Sequence, residues 1–258
     1  MSTIKERATT MLNLNQYYRI NQPDKVSKNE ILELPDEDFY ILRMLISKPF
    51  EGFKIPDELL WVEPLVIQAY LYQTNVVGVK HPFCYLTIRK GKVKSVTDDE
   101  WHVDGFSLTY SHLPEQNYIW CDSNPTEYVS SYPIDIPKDF DPNKHNLHKF
   151  IQKELKELNT IPIKQMDAET LYCLDPYIIH RRPPITKETD RTFIRISFTP
   201  IEIGDVNNTI NRLIPTNYTR DGVKEMRDKL EEYKSTNKPT NKPMKVFFST
   251  LPGNNLVD

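Results

Sequence analysis

Strand-like segments fill the middle of the chain, and they limit what the chain can fold into. Each is rich in β-branched and aromatic residues, and apolar and polar side chains tend to alternate along it, which is typical of strands. We interpret the first segment as two strands around a Lys-Gly turn. The segments are FCYLTIRKGKVKSV, EWHVDGFSLTYSH, QNYIWCDSN, TLYCLDPYIIHRR and RTFIRISFTPIEI.

Helical patterns precede, interrupt and follow the strands. Residues 37–47 begin with Asp and carry apolar residues at helical spacing, which predicts a helix. Residues 56–75 begin with Pro-Asp, and Pro64 interrupts the pattern, so we expect one kinked helix or two short ones. Residues 141–159 predict an amphipathic helix with a basic exposed face, and residues 220–234 predict a last helix.

This order of elements predicts an α+β domain in which helices buttress a β sandwich or barrel. The 258 residues fit one large domain. Within residues 1–258 we expect helical support in 1–75 and a β core in 76–204, with the helix 141–159 inserted into it. Residues 205–258 are expected to supply a C-terminal helix and a linker-like tail.

Composition argues against several function classes. The formal net charge of −3 gives no general attraction to nucleic acid or to acidic membranes, although a local basic patch stays open. The chain has only 7 glycines and contains neither a GxGxxG nor a GxxxxGK[ST] motif, so a nucleotide-binding loop is not expected. No apolar run approaches the roughly 20 residues of a membrane helix, and the N-terminus lacks the pattern of a secretory signal.

The cysteines point to a reducing compartment. Cys84, Cys121 and Cys173 are far apart in sequence, and the chain has no CxxC pair. This spacing fits neither a disulfide framework nor a cysteine-based metal site. We therefore expect a cytoplasmic protein.

The segment EWHVDGF carries the first candidate site. His102 and Asp104 are two residues apart, so on a strand both side chains point to the same face. The pair could hold a metal, or it could be a surface pair on an edge strand. His180, at the end of LYCLDPYIIH, would complete a set of two histidines and one carboxylate. Such a set leaves metal positions open and is typical of non-haem Fe(II) oxygen chemistry, whereas a structural zinc site has four closed ligands.

Two arginines follow on the next strand-like segment, RTFIRISF. The period-two rule places Arg191, Arg195 and Ser197 on one face of that strand. A buried arginine is a natural counter-charge for a dicarboxylate co-substrate, because its planar fork matches a carboxylate with two hydrogen bonds. The alternative is a solvated strand face with no ligand.

Two further histidines and a tryptophan have a simpler interpretation. His145 and His148 stand at i and i+3 on the predicted inserted helix, without a Glu-x-x-His partner, so we expect them on a solvated helix face rather than in a zinc pair. Trp101, directly before His102, is expected in the core or in a pocket wall.

The order His102-x-Asp104, then His180, then an arginine on the next strand resembles the Fe(II)/2-oxoglutarate-dependent dioxygenase superfamily, over roughly residues 78–200. The resemblance implies a double-stranded β-helix core, also called a jelly-roll or cupin-like core. It implies that these three residues are the catalytic iron ligands and that 2-oxoglutarate and O2 are co-substrates. Because related halogenases replace the acidic ligand, the presence of Asp104 implies hydroxylation or another oxidation.

The resemblance also offers residues for the far carboxylate of 2-oxoglutarate. Arg191 follows His180 by eleven residues, a spacing that several members show, and we favour it as the anchor. Arg195 would then support Arg191 or bind an acidic group of the substrate. Thr126 lies near the threonine or serine position of taurine dioxygenase-like members. The other candidates for this carboxylate are Ser197, in an Arg-x-Ser pattern, and Tyr118.

The leading prediction is an Fe(II)- and 2-oxoglutarate-dependent oxygenase that hydroxylates a small molecule, such as an amino acid or a natural-product intermediate. No membrane partner is expected, and the oligomeric state has no signature in the sequence. Three alternatives stay open: a nucleobase or protein side-chain hydroxylase, a non-catalytic cupin-type metal-binding module, and a metal-dependent isomerase or hydrolase on the same barrel.

Overall fold

The computed structural model of the protein describes residues 22–28, 30–79, 81–94, 100–104, 115–130, 147–157, 162–174 and 178–225. The first part of the chain forms strands β1 (Asp24–Ser27) and β2 (Phe39–Ser47), a 3₁₀ helix (Asp57–Val62), helix α1 (Glu63–Tyr72) and a π-helical turn (Gln73–Val77). Strands β3 (Phe83–Val93), β4 (Gln116–Cys121) and β5 (Glu127–Val129) follow, and then helix α2 (Leu147–Glu157). The last strands are β6 (Ile163–Gln165), β7 (Leu171–Leu174), β8 (His180–Arg181) and β9 (Thr189–Thr199).

The strands form two antiparallel sheets. The larger sheet has six strands in the order β1-β7-β4-β9-β3-β2, and the smaller has three in the order β6-β5-β8. The part of the chain that the structure describes is therefore mostly β with few helices. Two antiparallel sheets are consistent with the predicted β-sandwich or jelly-roll-like fold.

Strand β9 lies inside the larger sheet and serves both of its faces. It pairs with β3 along its whole length and with β4 on its other side. Ile194 and Ile196 face the main hydrophobic core, where they pack with Leu65 and Ala69 of α1. Because side chains alternate along a strand, the residues between them face the other side. There Phe193 packs against a second cluster that includes residues beside the smaller sheet.

The prediction of a helix over residues 37–47 is wrong, because residues 39–47 form strand β2. Residues 24–27 are also a strand, so among the described residues of the predicted helical support in 1–75, helix begins at Asp57; residues 1–21 lie outside the described residues. The segment FYILRML is a nearly continuous apolar run, which fits a buried strand as well as a helix. Backbone pairing with β3 decides the outcome.

The predicted Lys-Gly turn is also wrong, because residues 83–93 form one unbroken strand. Gly91 opposes Arg191 in the pairing of β3 with β9 and has a φ of 139°. Few side-chain-bearing residues adopt that conformation, so glycine permits the strand to continue. A Cβ at this position would also lie about 2.8 Å from the Asp38 carboxylate.

The helical predictions elsewhere agree with the structure within the described ranges. Residues 56–75 form two short consecutive helices, and Pro64 lies in the first turn of α1, where its missing N–H costs no hydrogen bond. Helix α2 confirms the middle of the predicted helix 141–159, and residues 220–225 confirm the start of the last helix. The remainder of both predicted helices lies outside the described residues. The assignment of residues 1–258 to a single domain stays a prediction. No helix within the described ranges is long and apolar enough to cross a membrane.

The role of β9 in the main core leads to a stability prediction. Ile196 is fully buried between the sheet and α1. Ile196→Ala should lower the free energy of unfolding by about 2–5 kcal/mol, because it removes buried methyl groups and leaves a cavity. Ile210→Ala is the matched control, since Ile210 is 61% exposed and its truncation should cost less than about 0.5 kcal/mol. Urea unfolding measures both; equal losses would contradict this placement of Ile196.

Candidate metal centre

A direct backbone bridge brings His102 and His180 together. The N–H of each donates to the C=O of the other, with both N–O distances 2.9 Å. Residues paired in this way project their side chains to the same side. The two imidazole ring centroids accordingly lie 4.5 Å apart. The backbone therefore sets the spacing of the two histidines before any ligand is considered.

Hydrogen bonds fix which ring nitrogen each histidine offers. Nδ1 of His102 lies 2.7 Å from the C=O of Glu100, and Nδ1 of His180 lies 2.8 Å from the C=O of Ile178. A carbonyl only accepts, so Nδ1 carries the proton in both rings. In a neutral imidazole, Nε2 then has the free lone pair. Both histidines are thus arranged as Nε2 metal ligands whose other nitrogen is held by the backbone.

Asp104 supplies the third donor. Its Oδ2 lies 3.5 Å from Nε2 of His180 and 2.6 Å from Nη1 of Arg195. Within the described ranges, the ligand atoms of His102, Asp104 and His180 all lie within 4.8 Å of one another. Neighbouring ligands at about 2.1 Å from one metal ion are about 3 Å apart. Small side-chain movements would therefore bring the three donors to bonding distance.

The electrostatics of His102 and Asp104 favour the forms that bind a metal. Burial and the neighbouring His180 lower the pKa of His102 to about 4, so its ring is neutral near pH 7. Burial disfavours the charge of Asp104, but the Arg195 guanidinium beside it holds the pKa of Asp104 well below its usual range. A neutral imidazole and an ionised carboxylate are the states that coordinate metals.

The donor set fits a divalent metal ion such as Fe(II). Two imidazoles and one carboxylate on one side of an ion leave its remaining positions open, as in non-haem iron sites. Cysteine is not part of the set, which argues against a structural zinc site. The predicted group of His102, Asp104 and His180 is thus brought together, and it could hold iron.

The residues next to the two histidines, Trp101 and Arg181, make contacts that stabilise the backbone bridge between His102 and His180. The Arg181 guanidinium lies 4.3 Å from the ring centroid of Trp101, a cation–π contact. Nε of Arg181 donates to Glu127 at 2.8 Å, and the Gln152 side chain of α2 donates to the C=O of Trp101 at 2.9 Å. Trp101 is buried, as predicted for a core or pocket-wall residue. These contacts connect both ligand segments to β5 and to α2.

His148 of α2 borders the centre in a way that the sequence did not indicate. Its side chain is exposed, in agreement with the predicted solvated face, but its ring centroid lies 6.1 Å from that of His102. Helical spacing alone could not identify this neighbour, because the helix and His102 are separated by more than 40 residues. His145, the other histidine of that predicted pair, lies outside the described residues.

Arg191 and Thr126 both contact one buried thiol, that of Cys121. Nε of Arg191 donates to the C=O groups of Ser123 and Asn124, both at 3.2 Å, and its Nη2 lies 3.2 Å from Sγ of Cys121. Burial raises the pKa of the Cys121 thiol, while the Arg191 charge and hydrogen bonds with Thr126 act in the opposite direction. The two residues predicted to contact the same carboxylate are therefore neighbours, and the loop after β4 orients the guanidinium.

The other predicted contacts to the oxoacid have different partners. Ser197 lies on the same strand face as Arg195, but its hydroxyl donates to Oδ1 of Asn117 at 2.5 Å. Tyr118 opposes Ile196 across the sheet, so it faces the helix side, and its hydroxyl donates to Gln73 at 2.8 Å. The prediction of Tyr118 as a phenol donor in the site is therefore wrong, because the register of β4 turns it away.

Comparison with known proteins leaves the family open. The sequence matches no protein-family model, and no curated protein matches it significantly. Among solved structures, the crystal structure of EvdMO1 is similar at 14% sequence identity and a TM-score of 0.32. The match covers 76% of this chain and 43% of the EvdMO1 chain, so less than half of EvdMO1 is matched. So distant a likeness carries no argument, and the function of this chain has to be inferred from its side chains.

The geometry predicts which histidines bind metal. His180→Ala and His102→Ala should each weaken Fe(II) or Co(II) binding by about 100-fold or more, because each removes a donor. His148→Ala is the matched control: it removes a neighbouring ring that lies outside the donor group, so affinity should stay within about tenfold. Anaerobic metal titration measures all three. Equal losses for His148→Ala and His180→Ala would contradict the assigned donors.

The pKa of His102 predicts acid sensitivity of the metal-free protein. An unfolded histidine titrates near pH 6.5, whereas burial lowers the pKa of His102 to about 4 in the folded state. Between these values the unfolded chain binds more protons, so stability falls as the pH falls. The expected loss from His102 is up to about 3 kcal/mol. Urea unfolding at pH 6.5 and pH 4.5 measures it, and His102→Asn should shrink the difference; an unchanged difference would assign it to other groups.

Proposed function

We propose that this protein is an Fe(II)- and 2-oxoglutarate-dependent oxygenase that hydroxylates a small molecule, such as an amino acid or a natural-product intermediate. The observation that carries the proposal is the group His102, Asp104 and His180, with both Nε2 atoms free and the carboxylate ionised. Three protein donors leave metal positions for an oxoacid and for O2.

Within this proposal, the protein holds and aligns the reacting groups. His102, Asp104 and His180 would hold the iron, and Arg195 would keep the Asp104 carboxylate oriented through the 2.6 Å ion pair. When bound, iron and 2-oxoglutarate would supply an oxidation by O2, in which one oxygen atom goes to the oxoacid as it loses CO2 and becomes succinate, and the other goes to the substrate. The side chains orient the substrate and exclude water, and α2 lies beside the centre through His148 and Gln152.

Arg191 is the proposed anchor for the far carboxylate of 2-oxoglutarate, with Thr126 beside it. Two observations support this choice over Arg195. Arg191 is buried, two backbone carbonyls orient its Nε, and within the described residues its Nη1 has no hydrogen-bond partner. Arg195 already makes a close ion pair with Asp104, so binding a second carboxylate would compete with that contact.

The proposed activity has a direct test. Fe(II) and 2-oxoglutarate, added together without oxygen, should give a weak visible charge-transfer band in the wild-type protein. In air, succinate release should rise with one member of a panel of amino acids, nucleosides and peptides. A protein that binds Fe(II) but gives neither the band nor succinate would contradict the proposal. A response only to nucleosides or peptides would move the substrate class to the alternatives.

Three variants separate the proposed roles in the same assay. Arg191→Gln should raise the half-saturating concentration of 2-oxoglutarate by about tenfold or more, because it removes a charge-assisted contact. Arg195→Gln should weaken iron binding first, since Asp104 loses its partner. Tyr118→Phe is the control and should leave the 2-oxoglutarate requirement unchanged, because Tyr118 faces α1. If only Arg195→Gln raises that requirement, the two arginines have the reverse roles.

A further inference from the structure

Arg43 lies at a β-bulge beside the metal centre. The pairing of β2 with β3 shifts between Ile41 and Met44, so Leu42 and Arg43 together oppose Thr87. Arg43 has a φ of 42°, in the left-handed region that arginine seldom adopts. Bulges of this kind bend a strand and redirect a side chain, and they occur often next to active sites.

Specific hydrogen bonds hold the bulge in place. The Arg43 N–H donates to the Thr87 hydroxyl at 3.1 Å. The Leu42 N–H donates to the Thr209 hydroxyl at 2.9 Å, and the Thr209 N–H donates to the C=O of Leu42 at 2.8 Å. A left-handed conformation at a residue with a side chain costs about 1–2 kcal/mol, so it persists only where surrounding contacts impose it.

The redirected Arg43 side chain reaches Glu115 on the far side of the sheet face. Its Nη2 lies 3.0 and 3.2 Å from the two oxygens of Glu115. Glu115 precedes β4, and β3 and β9 lie between β2 and β4, so the pair spans about 14 Å of the sheet. Glu115 is 5% exposed, whereas the Arg43 side chain is 25% exposed. Among the described residues, Nε and Nη1 of Arg43 have no hydrogen-bond partner, so both can donate to a ligand.

The pair lies next to Arg195 and therefore next to Asp104. Thr87, which accepts from the Arg43 N–H, directly opposes Arg195 in the pairing of β3 with β9. Burial disfavours the charge of Arg195, but the carboxylates of Asp104 and Glu115 raise its pKa. Nε of Arg195 is buried without a partner among the described residues. Two guanidinium groups with unused N–H donors thus share one face of the sheet with the metal ligands.

The charges on this face favour an anionic ligand. Four arginines on this face, Arg43, Arg89, Arg191 and Arg195, outnumber the carboxylates of Asp38, Asp104 and Glu115 by one positive charge. A divalent iron and a doubly charged oxoacid cancel each other, so the excess stays when both are bound. A partly exposed arginine in this setting prefers a singly charged acid, since its planar fork binds a carboxylate or sulfonate with two hydrogen bonds.

We propose that Arg43 is a specificity-determining residue that binds an anionic group of the primary substrate, a carboxylate or a sulfonate, beside the metal centre. The proposal rests on the proposed oxygenase function, whose substrate class it narrows. A partner needed only to neutralise Glu115 would not require a strained backbone or a quarter-exposed guanidinium with free donors.

The kinetic test compares acids with neutral analogues of the same compounds. Wild-type succinate release should respond to carboxylates or sulfonates and not to the corresponding amides. Arg43→Gln should raise the KM for the active acid by about tenfold or more, while the half-saturating 2-oxoglutarate concentration stays unchanged. Arg43→Lys should recover part of the loss, because it restores the charge without the fork. Equal use of acid and amide, or an unchanged KM in Arg43→Gln, would overturn the proposal.

A binding test stays informative if the protein has no oxygenase activity. The full-length protein, loaded with Zn(II), is titrated with sodium acetate, methanesulfonate and the neutral acetamide, and tryptophan fluorescence is followed. Saturable binding of an acid that Arg43→Gln loses and Arg212→Gln keeps would support the anion site even without succinate formation. Arg212 is exposed, and Arg212→Gln removes the same charge as Arg43→Gln. Equal binding by the wild type and Arg43→Gln would overturn it.

A double variant separates substrate binding from support of the fold. Arg43→Gln alone removes the ion-pair partner of the buried Glu115 and leaves it the more distant Asn117 amide at 3.5 Å, which destabilises the protein. Arg43→Gln combined with Glu115→Gln replaces the ion pair by two neutral amides that can hydrogen-bond to each other. We expect this double variant to stay folded and to keep the raised KM. A wild-type KM in the double variant would show that Arg43 only balances Glu115, and the proposal would be wrong.

Discussion

The reciprocal hydrogen bonds between the backbones of His102 and His180 are the contact on which the site depends. These residues are separated by 78 positions in sequence, and two N–H to C=O bonds of 2.9 Å place them side by side. Each ring then donates Nδ1–H to a carbonyl two residues earlier, so the backbone sets both the position and the orientation of the rings. Because the backbone already spaces the two histidine rings, these side chains need little rearrangement to bind a metal ion.

Strand β9 couples this site to the rest of the fold. Its Ile194 and Ile196 are buried in the core with α1, while Arg191 and Arg195 project to the opposite face. Since a strand alternates sides with a period of two, a slip of one residue would place the arginines in the apolar core and the isoleucines at the site. Burial of the isoleucines therefore fixes the register that brings Arg195 to Asp104.

The sequence predicted most of the metal centre but only part of its surroundings. His102, Asp104 and His180 could be identified because donor chemistry is a local property. The predicted strand EWHVDGFSLTYSH is wrong for residues 100–104, where His102 forms an isolated bridge and Asp104 lies in a bend, and residues 105–112 lie outside the described residues. The face of Tyr118 could not, because it depends on the register between β4 and β9, which a single sequence does not contain. Arg43 was missed for a different reason. Its apolar neighbours suit a helix as well as a strand, and a bulge with positive φ at an arginine has no sequence signature.

Arg195 and the metal would compete for the same carboxylate unless they use different oxygens. Oδ2 of Asp104 lies close to both Nη1 of Arg195 and Nε2 of His180. A carboxylate accepts on two oxygens, so a metal can take one while the guanidinium keeps the other. An arginine that keeps one oxygen limits the carboxylate to a single bond to the metal. For the proposed oxygenase, that restriction would preserve the open metal positions, and it would give Arg195 a role that neither co-substrate nor substrate binding requires.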